Sequence, residues 1–338
     1  MKKPGVRTFK ISFHWKCLIQ SDSFISAKTS ASIALSPWNE ILLVGDWKIN
    51  PQKPIPKLPL NFESRFVTMH NKSILVGGTL LGNLICLELN HDTWKQHSDL
   101  NDERLYPSVV TTEMATFVFG GKSPQNYSTG ISYEYLPNGC TTWKVGTSQI
   151  PIWFEQGCAV AIPSDKYIWL FGSKCAMNRI VKFDIDTLTF QELSFGRNGC
   201  SRFKDKRYQQ RCIAIPATRN IIITGGHGRR TADLQQTYLN STEIFNTENL
   251  TIVRGPSMNV SRAQHGIGII TIKGKDRIVV FGGIGNNGHC LDSVEVYKTE
   301  TQKWTITNMR LKKASAFTGN ICLKGKTISD LLGENSIN

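Results

Sequence analysis

The residues of this chain that could do chemistry are mostly cations. Forty Lys and Arg stand against twenty-six Asp and Glu, a net charge of +14, and two stretches concentrate them. Residues 195–211 place Arg197, Arg202, Lys204, Lys206, Arg207 and Arg211 around Phe203 and Tyr208. Cations that track a phosphate backbone, interleaved with rings that stack on bases, are what a single-stranded nucleic acid requires. Asp205 interrupts the run and no recognised nucleic-acid module surrounds it, so RNA binding is the second reading of this loop. Residues 227–239 carry Arg229-Arg230 just after a glycine pair, and Lys48, Lys122 and Lys174 follow other glycine stops. An arginine fork takes a carboxylate in two parallel hydrogen bonds, which a lysine cannot do. Held together on one face, such residues would grip an acidic segment of a partner protein. Each alone is a solvated loop cation of little energetic weight.

Catalytic constellations are harder to find. The seven histidines (14, 70, 91, 97, 227, 265 and 289) form no HExxH and no other close metal-ligand pair. There is no GxSxG elbow and no phosphate loop of the Gly-x-x-x-x-Gly-Lys-Ser/Thr type. The glycine-rich run Gly282–Gly288 follows no βαβ pattern, so a dinucleotide site there is not expected. The expectation is a chain without catalytic residues, metal or cofactor.

The elements that must position the cations are short apolar runs that stop on glycine. They read Ile41-Leu42-Leu43-Val44-Gly45-Asp46, Ile74-Leu75-Val76-Gly77-Gly78, Phe117-Val118-Phe119-Gly120-Gly121, Ile168-Trp169-Leu170-Phe171-Gly172-Ser173, Ile221-Ile222-Ile223-Thr224-Gly225-Gly226 and Ile278-Val279-Val280-Phe281-Gly282-Gly283. Runs of this length bounded by Gly are β-strands. A second run follows each later stop: Leu84–Leu89, Ser132–Tyr135, Val181–Asp184, Thr242–Phe245 and Ser293–Tyr297. Next comes an aromatic place, filled by Trp94, Trp143, Phe190 and Trp304, with Ile252 standing in once. A period drifting around ~50 residues belongs to stacked four-stranded blades, none of which can bury both faces alone. The glycines permit a tight turn at the end of the second strand, and the aromatics supply apolar surface between blades.

With these units in register, the chain resembles the kelch repeat family over roughly residues 30–325. It departs from the pattern at Gly45-Asp46, at Gly172-Ser173 and at Ile252. The resemblance implies an all-β, kelch-type β-propeller, with six blades as the first expectation and seven as the alternative. It implies loops that line one end of the ring, where arginines grip acidic partner peptides. The family's arginine after the aromatic strand has counterparts in Arg104, Arg262 and Arg310, with Lys28 in a fourth place. The expected partner-binding set is therefore Arg104, Lys122, Arg229, Arg230, Arg262 and Arg310. Propellers of this family often recruit substrates for ubiquitin ligases or serve as cytoskeletal adaptors; the residues before the repeat read as strand, so no BTB or F-box segment is expected here. Some are copper oxidases, but a Tyr/His copper set is not assignable among His227, Tyr238, His265 and His289.

The ends suggest how a ring would close. Residues 1–12 are expected to be a poorly ordered basic leader, 13–333 a single propeller and 334–338 a tail. Phe13–Ile19 reads as the last strand of a blade and Ala27–Leu35 as the inner strand that follows. Near the other end, Ala314–Leu323 and Thr327–Gly333 read as a first and a second strand, so an N-terminal strand could complete this terminal blade. Pro51, Pro54, Pro56 and Pro59 leave the first unit irregular. An apolar share of 40% supports a sizeable core, while no apolar run approaches the ~18–20 residues that span a bilayer. Lys10, His14 and Lys16 break any signal-peptide core. Nine scattered cysteines without CxxC pairs are expected to be buried free thiols. A monomeric, cytoplasmic or nuclear protein with an acidic protein partner is the combined expectation.

Overall fold

The computed structural model describes residues 98–311 apart from 124–125, 164, 194–202, 230–236 and 273–274. It also describes strands 30–35, 41–44, 65–69, 72–76, 86–90, 93–96 and 319–324, and residues 314 and 316. The described chain is almost all β, with one 3-10 turn at Tyr127–Ile131. No described helix is long and apolar enough to cross a membrane.

Five four-stranded antiparallel sheets follow one another. Sheet I is Arg65–Met69, Lys72–Val76, Cys86–Asn90 and Thr93–Gln96. Sheet II is Ser108–Thr111, Ala115–Phe119, Tyr133–Pro137 and Lys144–Val145. Sheet III is Cys158–Ala161, Tyr167–Phe171, Ile180–Asp184 and Thr189–Glu192. Sheet IV is Arg211–Ala214, Asn220–Thr224, Thr242–Asn246 and Thr251–Gly255. Sheet V is Gly266–Ile272, Lys275–Phe281, Ser293–Lys298 and Lys303–Arg310. The strands pair in chain order within each sheet, and the first strands of successive sheets lie side by side.

The core sits between the sheet faces. Phe117, Phe119 and Tyr133 of sheet II meet Ile168, Leu170, Val181 and Phe183 of sheet III. The opposite face of sheet III sets Trp169, Phe171 and Ile180 against Ile221, Ile223 and Phe245 of sheet IV. Alternate residues of one strand thus serve opposite neighbours, so a central strand must be apolar on both faces. Tyr167–Phe171 and Asn220–Thr224 are each buried over their last four residues. At the aromatic places Trp143, Trp304 and the substitute Ile252 are buried, Phe190 is half-buried against the core between sheets II and III, and the side chain of Trp94 lies outside the described residues.

Among the described residues the glycine stops also hold. Gly120 has φ +61°, and a Cβ there would lie 1.9 Å from the Phe154 carbonyl oxygen. Gly121 N–H donates to that same carbonyl at 2.8 Å. The pair ends a strand and lets the linker entering the next sheet dock on it, which a side chain would prevent.

A further sheet joins the two ends of the chain. Ser30–Leu35 lies between Gly319–Lys324 and Ile41–Val44, antiparallel to both. This corrects one expectation. Ser30–Leu35 is a middle strand, while Gly319–Lys324 lies beside the first strands of sheets V and I. Ile41–Val44 therefore belongs to this shared sheet and not to a separate first unit, and its glycine stop lies outside the described residues. The strands read at Phe13–Ile19 and Thr327–Gly333, the leader 1–12, the tail 334–338 and Lys28 lie outside the described residues.

Candidate functional site

Three arginines expected to face a partner are buried instead. Arg104, Arg207 and Arg262 are each 0% exposed, and each stands four residues before the first strand of its sheet. Arg104 Nη1 donates to Gly120 O at 2.8 Å, Nη2 to Ser132 Oγ at 2.8 Å and Nε to Glu134 at 3.0 Å. Arg207 makes the same set with Gly225 O at 2.8 Å, Ser241 Oγ at 3.1 Å and Glu243 at 2.8 Å. Arg262 makes it with Gly282 O at 2.7 Å, Ser293 Oγ at 3.1 Å and Glu295 at 2.9 Å. The far carboxylate oxygens are held by backbone N–H groups of Asn101, Lys204 and Asn259. Arg262 Nε alone is left without a partner, and a buried guanidinium held at so many points is a structural pin.

Arg104 and Arg262 therefore leave the partner-binding set, and Arg207 leaves the nucleic-acid loop, because their side chains are buried and paired with carboxylates inside the sheet. The signal was present in the sequence. Ser132-Tyr-Glu134, Ser241-Thr-Glu243 and Ser293-Val-Glu295 recur in step with an arginine and a glycine pair, and a charge pair that repeats with the core belongs to the core. Sheet III replaces the pair with apolar residues. Phe154 stands at the arginine place, Val181 stands opposite Leu170 as Glu134 stands opposite Val118, and both are buried.

Arg211 opens the first strand of sheet IV and is 8% exposed, and burial pushes its pKa down. It too is no surface cation. Arg310 ends sheet V with a side chain 37% exposed, donates to Thr307 O at 2.7 Å and lies 3.8 Å from Asp292. Arg197, Arg202 and Arg230 lie outside the described residues, as does the side chain of Arg229.

Lys122, Lys204 and Lys206 are exposed. Lys206 lies on a small three-stranded sheet that joins the two basic loops: Lys206–Tyr208, His227–Arg229 and Thr237–Tyr238. Its register sets Lys206 opposite Arg229 and Tyr208 opposite His227. The same backbone pairing occurs once in sheet II, at Leu105 and Lys122, and once in sheet V, at Ala263 and Ile284. At sheet IV it is extended into strands. Tyr208 Oη and His227 Nδ1 are 2.6 Å apart, with Tyr238 edge-on to the imidazole. Burial pushes the His227 pKa down and the Tyr208 pKa up, so both are neutral at pH 7 and the rings are bound to one another.

Antiparallel pairing puts the glycine pairs and the inter-sheet linkers at one end and the hairpin turns at the other. A backbone belt marks the first end. Gln156 N–H donates to Tyr106 O at 3.4 Å, Gln209 to Gln156 O at 2.7 Å and Gln264 to Gln209 O at 3.0 Å. All four residues have φ between 54° and 58°. Charge divides between the two ends. Exposed Glu113, Asp186, Glu248, Asp276 and Glu300 lie at the turn end, among cations that pair with carboxylates there, such as Arg277 with Glu300 at 2.7 Å. At the glycine-pair end the exposed residues include Lys122, Lys174, Lys204 and Lys206, against Asp99 and Asp292; the carboxylates of Glu134, Asp205, Glu243 and Glu295 are buried there.

Among the described residues no group of three or more His, Cys, Asp or Glu could hold a metal ion. His265 is fully buried beside Thr224 Oγ1 at 2.8 Å, and its pKa is held well below the ordinary value by burial, with Arg262 and Arg211 adding to the effect. Cys140, Cys175 and Cys290 are exposed free thiols, whereas buried ones were expected; Cys158 is buried and free, and Cys212 is free and partly buried. The Kelch motif model matches residues 274–308, which span most of sheet V. No curated protein matches the chain.

Proposed function

We propose that this kelch repeat protein is a non-catalytic scaffold whose glycine-pair end binds an acidic segment of a partner protein. Kelch repeats generally mediate protein–protein interaction. The observation that carries the reading is the division of charge: Lys122, Lys174, Lys204 and Lys206 are exposed at the end where the structural carboxylates are buried. The small sheet at that end sets Lys206 opposite Arg229 in register. The binding set is thus revised to lysines and Arg229, which attract a carboxylate-rich segment by charge more than by bidentate forks. The same proposal takes the shared sheet of Ser30–Leu35 and Gly319–Lys324 as a sixth blade that closes the ring, for Gly319–Lys324 neighbours sheets V and I alike.

The test is fluorescence anisotropy with a labelled peptide of alternating Asp/Glu and Ser, comparing wild type with Lys122→Glu/Lys204→Glu/Lys206→Glu. These side chains are exposed, so the variant is expected to keep its circular dichroism and lose at least tenfold in affinity, with the wild-type affinity falling as salt rises. Equal affinity in both proteins, or an equal loss on reversing exposed Lys166 and Lys275 at the turn end, refutes the choice of face. Retention of random single-stranded RNA in place of the peptide would transfer the site to the second reading.

A further inference from the structure

Strand alternation aims two cysteines at each other across the gap between sheets III and IV. Ser108, the first residue of its inner strand, donates from Oγ at 3.1 Å to the carbonyl of Gly157, the residue that leads into the first strand of the next sheet. The first position therefore faces the following sheet, and Cys158 holds that position in sheet III. The second position faces back, as Ala159 does where it packs on the core between sheets II and III. Cys212 holds the second position in sheet IV. Cys158 belongs to the apolar cluster between the two sheets and Cys212 packs against it, on first strands that lie side by side, and the Cys158 thiol is near enough to raise the Cys212 pKa. The corresponding places are Ser108 and Ala159 between sheets II and III, and Arg211 and Ile267 between sheets IV and V. Of these three interfaces, only this one brings two thiols together.

We infer that Cys158 and Cys212 are a disulfide-forming pair, a modification site that joins two neighbouring sheets covalently when a low-molecular-weight disulfide reaches it. One thiolate attacks a sulfur of that disulfide, forming a mixed disulfide and expelling one small thiolate. The second cysteine, deprotonated, attacks the protein sulfur of the mixed species and expels the other. Two protein thiols are oxidised, one small disulfide is reduced to two thiols, and the two protons pass to solvent and to the leaving thiolates. The charge of Arg211, the residue before Cys212, favours the Cys212 thiolate. Burial acts the other way and pushes the Cys212 pKa well up, so the exchange quickens as pH rises above neutrality.

The experiment incubates the native chain with oxidised glutathione at pH 8.5, blocks remaining thiols with iodoacetamide under denaturing conditions, and maps the digest without reduction by mass spectrometry. A linked peptide pair containing Cys158 and Cys212 is expected. So is a rise in the thermal midpoint that dithiothreitol reverses and that a folded Cys212→Ser variant does not show. The inference is overturned if glutathione is found only as adducts on single cysteines such as Cys140, Cys175 or Cys290, or if Cys158 and Cys212 are both recovered alkylated. Because the readout is taken on wild-type protein, it does not depend on the variant folding.

Discussion

Replacing Arg104 by Ala would expose how much sheet II depends on its buried ion pair. The change deletes the hydrogen bonds to Gly120 O, Ser132 Oγ and Glu134, and it leaves the Glu134 carboxylate 0% exposed with no cation on it. Breaking a buried pair from one side costs about 3–5 kcal/mol, a large part of the ~5–15 kcal/mol that holds a domain folded. Glu134→Ala should cost a similar amount, since it strands the guanidinium and the Asn101 amide. The pair Arg104→Phe with Glu134→Val copies what sheet III already has in Phe154 and Val181. A well-packed apolar replacement of a buried pair is often neutral or better. The double variant should therefore lie at least ~2 kcal/mol above the sum of the two single losses. Urea denaturation of wild type, Arg104→Phe, Glu134→Val and the Arg104→Phe/Glu134→Val double variant, read as a double-mutant cycle beside the two Ala variants, gives the coupling directly. Single variants that cost under ~1 kcal/mol, or a double variant as unstable as the sum, would refute the assignment of these arginines to the core.

Other tests follow from particular contacts. Gly120→Ala should destabilise well beyond the ~1–2 kcal/mol of a left-handed Ala, because its Cβ would strike Phe154 O at 1.9 Å. Gly139→Ala, at φ +80° with open space around it, should cost only the backbone part, and thermal melts of the two compare them. On acidification two losses of stability are expected in turn. The His265 pKa is lowered in the fold, so its contribution is complete above the unfolded value near ~6.5 and drains away as pH falls below it. Burial raises the Asp205 pKa, but the Ser241 hydroxyl, Arg207 and Arg254 outweigh it and bring it down, so its contribution is present above ~4 and is lost below. His265→Gln should flatten the upper part of a plot of thermal midpoint against pH, and Asp205→Asn the lower part. Removing residues 319–338 takes away the partner of Ser30–Leu35 and should lower the midpoint of the whole chain if the ring is closed there. A minor change would count against closure.

The sheets were legible because their signal is local. Each glycine stop and each buried Trp143 or Trp304 can be read within a few residues. The site was less so. Whether Arg104 faces water depends on Glu134, thirty residues away, and an arginine in a polar linker looks the same whether it is solvated or buried. The repeated Ser-x-Glu triplets would have separated the two cases. The meeting of the two basic loops was hidden for another reason: strands as short as Lys206–Tyr208 carry too little pattern to fix a partner. The order of strands at the chain ends failed similarly. Ser30–Leu35 has the same alternation as a first strand or a second one, and only its pairing with Gly319–Lys324 decides.

That last pairing has a consequence for how the protein is made. Ser30 pairs with Lys324, and Leu35 with Gly319. At ~5–20 residues per second, a ribosome takes roughly 15–60 s to bring the second strand out after the first. Through that interval Ser30–Leu35 can form a hairpin with Ile41–Val44, while its other edge offers unpaired amides and carbonyls to any neighbouring nascent chain. Open edges of this kind invite aggregation. The last sheet is completed only after most of the polypeptide has emerged, which makes its early strands natural clients for a chaperone.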